Sequence, residues 1–322
     1  MMTSEDNHSF IEKIADWSRC NGGFYADNPI YAGKIPESLR QSELFQLITN
    51  RALLREFCAR NQIVQPVFVH GSKFDSLAAW AVKRNQFPLA MKSAVNGSDC
   101  DHCYILKAFR ELPEFYEAIV SAINGPVILE EFISAKSRIE ATFIAGLPRL
   151  IAQFSLEKSM RMRQTWRVFP IRPPEAMMDQ LCSITSKFKG LSAIRDVPVR
   201  FSFALRNNQL VLLSLNAGLN RPEYHPEWCH AAGISSIFAA LPAVGNKNIC
   251  KLLIYYGISD FSESELRIAG GKNLVKLAST EAQTIVMLSA PDSATLLEDA
   301  RKVDTFFKHC KSSDYQSPVS ED

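Results

Sequence analysis

The chain has 322 residues, with 36 Lys+Arg against 34 Asp+Glu and a formal net charge of +2 at pH 7. Its 47% hydrophobic and 22% charged residues describe a globular protein with a sizeable core and exclude a disordered chain. The near-balanced charge excludes a generic polyanion binder, so nucleic acid is not an expected partner.

No stretch reaches the ~20 consecutive apolar residues that span a bilayer. The first ten residues, MMTSEDNHSF, are polar and acidic rather than a basic start to an apolar export signal. The expectation is a cytoplasmic protein with no membrane partner. The eight cysteines are scattered and read as reduced thiols.

In chain order, Phe10, Ile11, Ile14 and Trp17 share one face of a short amphipathic helix within a lead-in of residues 1–49. Leu44, Leu47, Ile48, Leu53, Leu54 and Phe57 recur at helical spacing and predict one helix over 42–61. Residues 63–69 are β-branched around Pro66 and read as a strand, followed by a helix over 76–85. Residues 87–91 form a short strand ending at Lys92, which leads into the polar loop 93–102. A strand over 104–107, a helix over 112–123 and an apolar strand over 126–131 follow, the last running into Glu130 and Glu131.

Residues 139–144 and 149–155 predict a hairpin turning at Gly146, which permits positive φ. A basic segment, 158–172, carries Lys158, Arg161, Arg163, Arg167 and Arg172 around Trp166. Residues 173–188 read as a helix. Residues 197–205 and 209–215 form a second hairpin about Arg206, Asn207 and Asn208, and 228–239 are helical. Strands are then predicted over 250–256, 274–277 and 284–288. The last helix, 293–309, has Leu296, Leu297, Ala300, Val303 and Phe307 on one side. The Ser-rich, acidic residues beyond 311 predict a loose tail. The class is α+β with antiparallel hairpins rather than a βαβ alternation, and no G-x-G-x-x-G or Walker A loop is present.

Three segments in this order carry a resemblance: a strand with a terminal lysine and a small-residue loop (FPLAMKSAVNGS), an apolar strand ending in paired carboxylates (PVILEEFIS), and a hairpin whose second strand ends in Asn (VRFSFALRNNQLVLLSLNAG). Over residues 50–240 the chain resembles the ATP-grasp superfamily, whose members activate a carboxylate as an acyl phosphate and couple it to an amine or thiol. The resemblance implies an ATP-grasp core with lobes at 50–125 and 126–244, a C-terminal α/β appendage at 245–310 and a tail at 311–322.

It also implies site residues. Lys92 matches the strand lysine that contacts ATP phosphates, a role suited to a point-charge ammonium. Arg51 stands nearest the family's earlier lysine. Gly97 and Ser98 are what remains of the glycine-rich loop whose backbone N–H groups approach phosphate oxygens. Glu130, Glu131, Phe132 and Ile133 look like the adenine-binding hinge. There, backbone groups meet the base and a glutamate meets the ribose. The Gly and Glu that follow in the family are replaced in SAKSRIE, and Glu140 reads as a solvated strand residue.

The departure lies at the metal. Family members hold two Mg²⁺ ions with an acid on the first strand of the late hairpin and a Glu-x-Asn pattern on the second. Here Ser202 and Ser214 stand at the two acid positions and Asn216 alone survives as a metal ligand. Gly218 replaces an arginine, with Arg221 nearby. Mg²⁺ takes oxygen ligands that usually include carboxylates, and a hydroxyl brings no counter-charge. Asp196, Glu223 and Glu227 are possible replacements. The short lead-in before Arg51 is expected to be too little for the complete Rossmann-like domain that commonly precedes these ligases. The acceptor site is then built differently, missing, or supplied by a partner chain.

Other constellations are weaker. Cys100 and Cys103 form a CxxC that, with Cys229 and His230, would suit zinc only if the fold gathered them; reduced loop thiols are the plainer reading. Arg161, Arg163, Arg167 and Arg221 are candidate contacts to a phosphate or carboxylate, against a solvated basic face. His70 and His225 have no evident partners. Two functions remain open: a pseudo-ligase that keeps the scaffold and acts through nucleotide binding or docking on a partner, and an active ATP-dependent carboxylate–amine or thiol ligase. Ser202, Ser214, the thinned loop and the short lead-in favour the first.

Overall fold

A computed structural model describes residues 41–95, 103–123, 125–134, 138–144, 146–158, 163–169, 173–193, 199–217, 249–256, 263–279 and 283–309. The helices expected over residues 10–17 and 228–239, and the tail, lie outside these. The described chain begins with α1 (Glu43–Thr49), where the Ser42 hydroxyl accepts from the Phe45 N–H. The helix expected over 42–61 is in fact two. Asn50 is extended, forms a bridge to Val95 and caps α2 (Arg51–Arg60) by accepting from the Leu53 N–H. Asparagine's short acceptor competes with the helical backbone, so it starts a helix more readily than it continues one.

The strand expected at 63–69 is displaced to β1 (Phe68–Gly71). Pro66 has no N–H to give a ladder; ahead of it the Val64 carbonyl accepts from Leu212 N–H instead. Then follow α3 (Phe74–Arg84), β2 (Leu89–Ser93), β3 (Cys103–Leu106), α4 (Leu112–Ile123) and β4 (Val127–Glu131). Next come β5 (Arg138–Ile144), β6 (Leu147–Lys158), β7 (Arg163–Phe169), α5 (Glu175–Thr185), β8 (Val199–Arg206) and β9 (Gln209–Ala217). The remainder is β10 (Ile249–Tyr256), α6 (Glu263–Gly270), β11 (Leu274–Ser279), β12 (Gln283–Ala290) and α7 (Ser293–His309). Helix α6 has no counterpart in the sequence reading.

The chain divides into two units. The first takes Met1–Ala135, Phe143–Leu147 and Pro174–Leu219 and contains an antiparallel sheet in the order β1-β4-β2-β3. Side chains alternate between the faces of a strand. On one face Leu89, Met91, Leu106, Val127 and Leu129 pack with Leu77 and Ala81 of α3 and Leu112 and Ile119 of α4. On the other, Ala94 and Ile128 pack with Ala52 of α2. Burying each large aliphatic side chain contributes about 1.5–3 kcal/mol, so both faces are committed. In the same unit β8 and β9 form a hairpin whose turn residues Asn207 and Asn208 both have positive φ, 51° and 61°. Asparagine tolerates that conformation. Behind the hairpin, Phe201 meets Phe143, Phe188 and Phe203 in ring contacts.

The second unit takes Lys136–Thr142, Pro148–Pro173 and Asn220–Asp322. Its strands run β11-β12-β10-β7-β6-β5. Part of the basic segment is strand β7, registered between β6 and β10. Its core gathers Leu253, Val286 and Leu288 of the sheet with Leu266 of α6 and Leu296, Ala300, Val303 and Phe307 of α7. Leu297, expected on the apolar side of α7, is exposed instead. Glu140, expected to be solvated, is buried at 8% exposure.

Candidate functional site

The polar residues of the first unit gather where α2 lies on the sheet face opposite α3 and α4. Lys92 is inside β2, paired in register with Cys103 on β3 and Ile128 on β4. It therefore lies within the strand rather than closing it. Its Nζ contacts Glu130 Oε1 at 2.6 Å, and Arg55 Nε donates to Glu130 Oε2 at 2.9 Å. Arg55 and Glu130 are 2% and 4% exposed. The rest of the Arg55 fork donates to the carbonyls of Leu212, at 3.1 Å, and Leu213, at 2.7 Å. These carbonyls lie where the β8–β9 register shifts between Ser202 and Phe203, so a bulge turns its backbone acceptors toward the arginine.

Burial pushes the Glu130 carboxyl up, but the charges and hydrogen bonds of Lys92 and Arg55 outweigh it and bring it down to about 2. One carboxylate thus faces two cations, and the cluster keeps a net positive charge. Arg51, at the start of α2, adds a third cation. Its Nη1 donates to the Ser93 carbonyl at 3.0 Å, and its backbone N–H donates to Ala94 O at 2.7 Å.

The paired glutamates diverge. Glu131 is one residue on and faces the other side of β4, where its Oε1 accepts from Arg206 at 2.8 Å and its Oε2 lies 3.8 Å from Arg84 Nη2. The structure therefore does not bring Glu131 together with Lys92. Past the strand, Phe132 N–H donates to Pro88 O at 3.3 Å, and Ile133 packs with Ala204 and Val211. His70, far from lacking a partner, meets Glu56 Oε1 at 2.9 Å.

On the hairpin, Ser202 pairs in register with Ser214, and Arg200 with Asn216. Asn216 Nδ2 donates to Ser214 Oγ at 3.3 Å. Directly opposed residues share a face, so Arg200, Ser202, Ser214 and Asn216 form one polar patch, with Phe201 and Phe203 on the other side. The resemblance implies a pair of Mg²⁺ ions here. Among the described residues, those at this patch do not fit them: three neutral side chains and a cation give a divalent ion no counter-charge. No group of three or more His, Cys, Asp or Glu residues suited to a metal occurs among the described residues.

Gly97, Ser98, Arg161 and Arg221 lie outside the described residues, as do Cys100, Asp196, Glu223, Glu227, Cys229 and His230. Arg163 and Arg167 are on β7 in the second unit, Arg167 in register with Leu252 and Phe154. Two residues of the patch and cluster had not been singled out from the sequence, Arg55 and Arg200. Each left a signal: an arginine one turn after Arg51, between the apolar positions Leu54 and Phe57 of an amphipathic helix, and an arginine two residues from Ser202 in an apolar strand.

The fold that carries these groups is the ATP-grasp fold. It is shared at a TM-score of 0.61 with an L-amino acid ligase from Bacillus licheniformis, at 14% identity, covering 84% of this chain and 73% of that one. The biotin carboxylase domain of the Hydrogenobacter thermophilus 2-oxoglutarate carboxylase, a complex holding MgADP, ADP and bicarbonate, is similar at 0.61 and 13% identity, covering 97% and 80%. An ADP complex of N5-carboxyaminoimidazole ribonucleotide synthetase is similar at 0.57 and 13% identity, covering 83% and 74%. No family model and no curated protein sequence matches the chain. Among the described residues, no helix is long and apolar enough to cross a membrane.

Proposed function

We propose that this chain is a diverged pseudo-ligase: an ATP-grasp scaffold that binds nucleotide, has little or no ligase turnover of its own, and acts through that binding or through docking on a partner chain in the cytoplasm. The observation that carries the reading is a contrast within one unit. The Lys92–Glu130–Arg55 cluster is assembled about a buried carboxylate and arginine and is positively charged, while Ser202 and Ser214, which the resemblance aligns with the two acids, pair across the hairpin. Lys92 and Arg51 bring cationic donors suited to phosphate oxygens. The strand β4 runs into Phe132 and Ile133, whose backbone is the candidate for the base edge. Phosphoryl transfer draws most of its stabilisation from metal ions and cationic clamps. A hairpin without acids removes the first of these.

Thermal unfolding with ATP, in Mg²⁺ and in EDTA, tests it. A ligand that binds only the native state raises the melting temperature, and the expected result is a rise that survives chelation. Stabilisation that vanishes in EDTA would favour an active, metal-dependent ligase, and no response to ATP would remove nucleotide binding.

A further inference from the structure

We infer that Arg200, with Ser202, Ser214 and Asn216, forms an oxyanion site that holds a phosphate or carboxylate group without a metal ion, the guanidinium supplying the positive charge. The inference rests on the nucleotide-binding reading for its biological ligand, but its geometry is independent of Lys92.

Arg200 is 5% exposed, and its Nε and Nη1 are buried with no hydrogen-bond partner. No carboxylate among the described residues pairs with it. An unpaired buried charge is among the most costly features a fold can carry, and a buried donor without an acceptor calls for a specific explanation. Arg55 in the same unit shows the contrast, since its guanidinium meets one carboxylate and two carbonyls. On the same face of the hairpin as Arg200 stand groups that can donate, two serine hydroxyls and the Asn216 amide. Ser214 and Asn216 are only half-buried, which leaves the β9 side of the patch reachable. A cation sharing a face with neutral groups that can donate is complementary to an oxyanion. The same charge disfavours a divalent ion at this position.

The test is calorimetric titration in EDTA with inorganic tripolyphosphate, ATP and glutarate, on the full chain and on Arg200→Gln, Arg200→Lys and Ser214→Asp. The wild type is expected to bind tripolyphosphate and ATP. Arg200→Gln should weaken both about tenfold to a hundredfold, the range of a charge-assisted hydrogen bond, with Arg200→Lys between. Ser214→Asp, which places a carboxylate beside the guanidinium, should weaken them too. It serves as the independent check if Arg200→Gln does not fold. Arg200→Gln should also melt no lower than wild type without ligand, because it removes an uncompensated charge; a purely structural arginine would lower it.

Binding of glutarate but not tripolyphosphate, lost in Arg200→Gln, upholds the site and assigns it to a carboxylate. Undiminished binding of all ligands by the Arg200 variants overturns the site while leaving nucleotide binding intact. Arg200-dependent tripolyphosphate binding without any ATP binding upholds the site and overturns the nucleotide reading. No binding of any of the three by wild type overturns both.

Discussion

Arg55 and Glu130, 75 positions apart, meet at 2.9 Å with both side chains almost wholly buried. The pair ties helix α2 to strand β4, and the remainder of the arginine fork ties both to the bulge of β9. A buried ion pair repays its desolvation only when every remaining donor is satisfied. Arg55 meets that condition through two backbone carbonyls. Glu130 meets it through Lys92, so the lysine is held by a carboxylate that is itself fixed.

Breaking this pair from one side is expected to be costly. Arg55→Met leaves Glu130 with Lys92 alone and two carbonyls without a donor, and should lower unfolding free energy by about 3–5 kcal/mol. Combining it with Glu130→Leu should cost clearly less than the sum of the single changes. Urea denaturation of the two singles and the double decides it; additive losses would mean that the contact is energetically idle.

The acid limb of stability should carry the signature of Glu130. Its carboxyl is depressed from 4.5 to about 2 in the folded chain, so the folded state holds the ion more tightly than the unfolded state does. That contribution is fully present above about pH 4.5 and is lost as pH falls from there toward 2. Melting temperatures of wild type and Glu130→Gln, measured across this window, should converge as the solution becomes more acid. A constant gap would show that the depression is absent.

Lys92→Gln keeps much of the side-chain length but removes the charge. Because Lys92 is partly exposed, the variant should fold, although Glu130 then relies on Arg55 alone. Any melting-temperature rise produced by ATP should disappear in it. An unchanged rise would exclude the lysine from the nucleotide site.

Gly146 tests the turn between β5 and β6. Its φ is +75°, and a Cβ built there would lie 3.1 Å from Ser192 Cα. Gly146→Ala therefore meets both a disfavoured backbone region and a close backbone neighbour, and should cost about 1–2 kcal/mol. Chemical denaturation reads this directly, and a neutral substitution would mean that Ser192 yields freely.

Local features were legible wherever one segment carried its own physics. The helices Leu112–Ile123 and Ser293–His309 fall at the expected residues, because apolar spacing and the flanking residues are properties of a short stretch. The second hairpin, turning at Asn207 and Asn208, follows equally from its residues. Lys92 and Glu130 were recognisable as candidates, but only as letters near strand ends.

What the linear order of residues settled here was which segments become helix or strand, since those choices depend on neighbours within a few positions. Packing settled the rest. Pairing of β4 between β1 and β2 sent Glu130 toward Arg55 and Glu131 toward Arg206, a division that alternation forces only once the two faces have different neighbours. The same packing paired Arg55 while leaving Nε and Nη1 of Arg200 buried with no hydrogen-bond partner. Two arginines in apolar surroundings look alike along the chain, and only contacts between distant segments give one a carboxylate and, among the described residues, the other none.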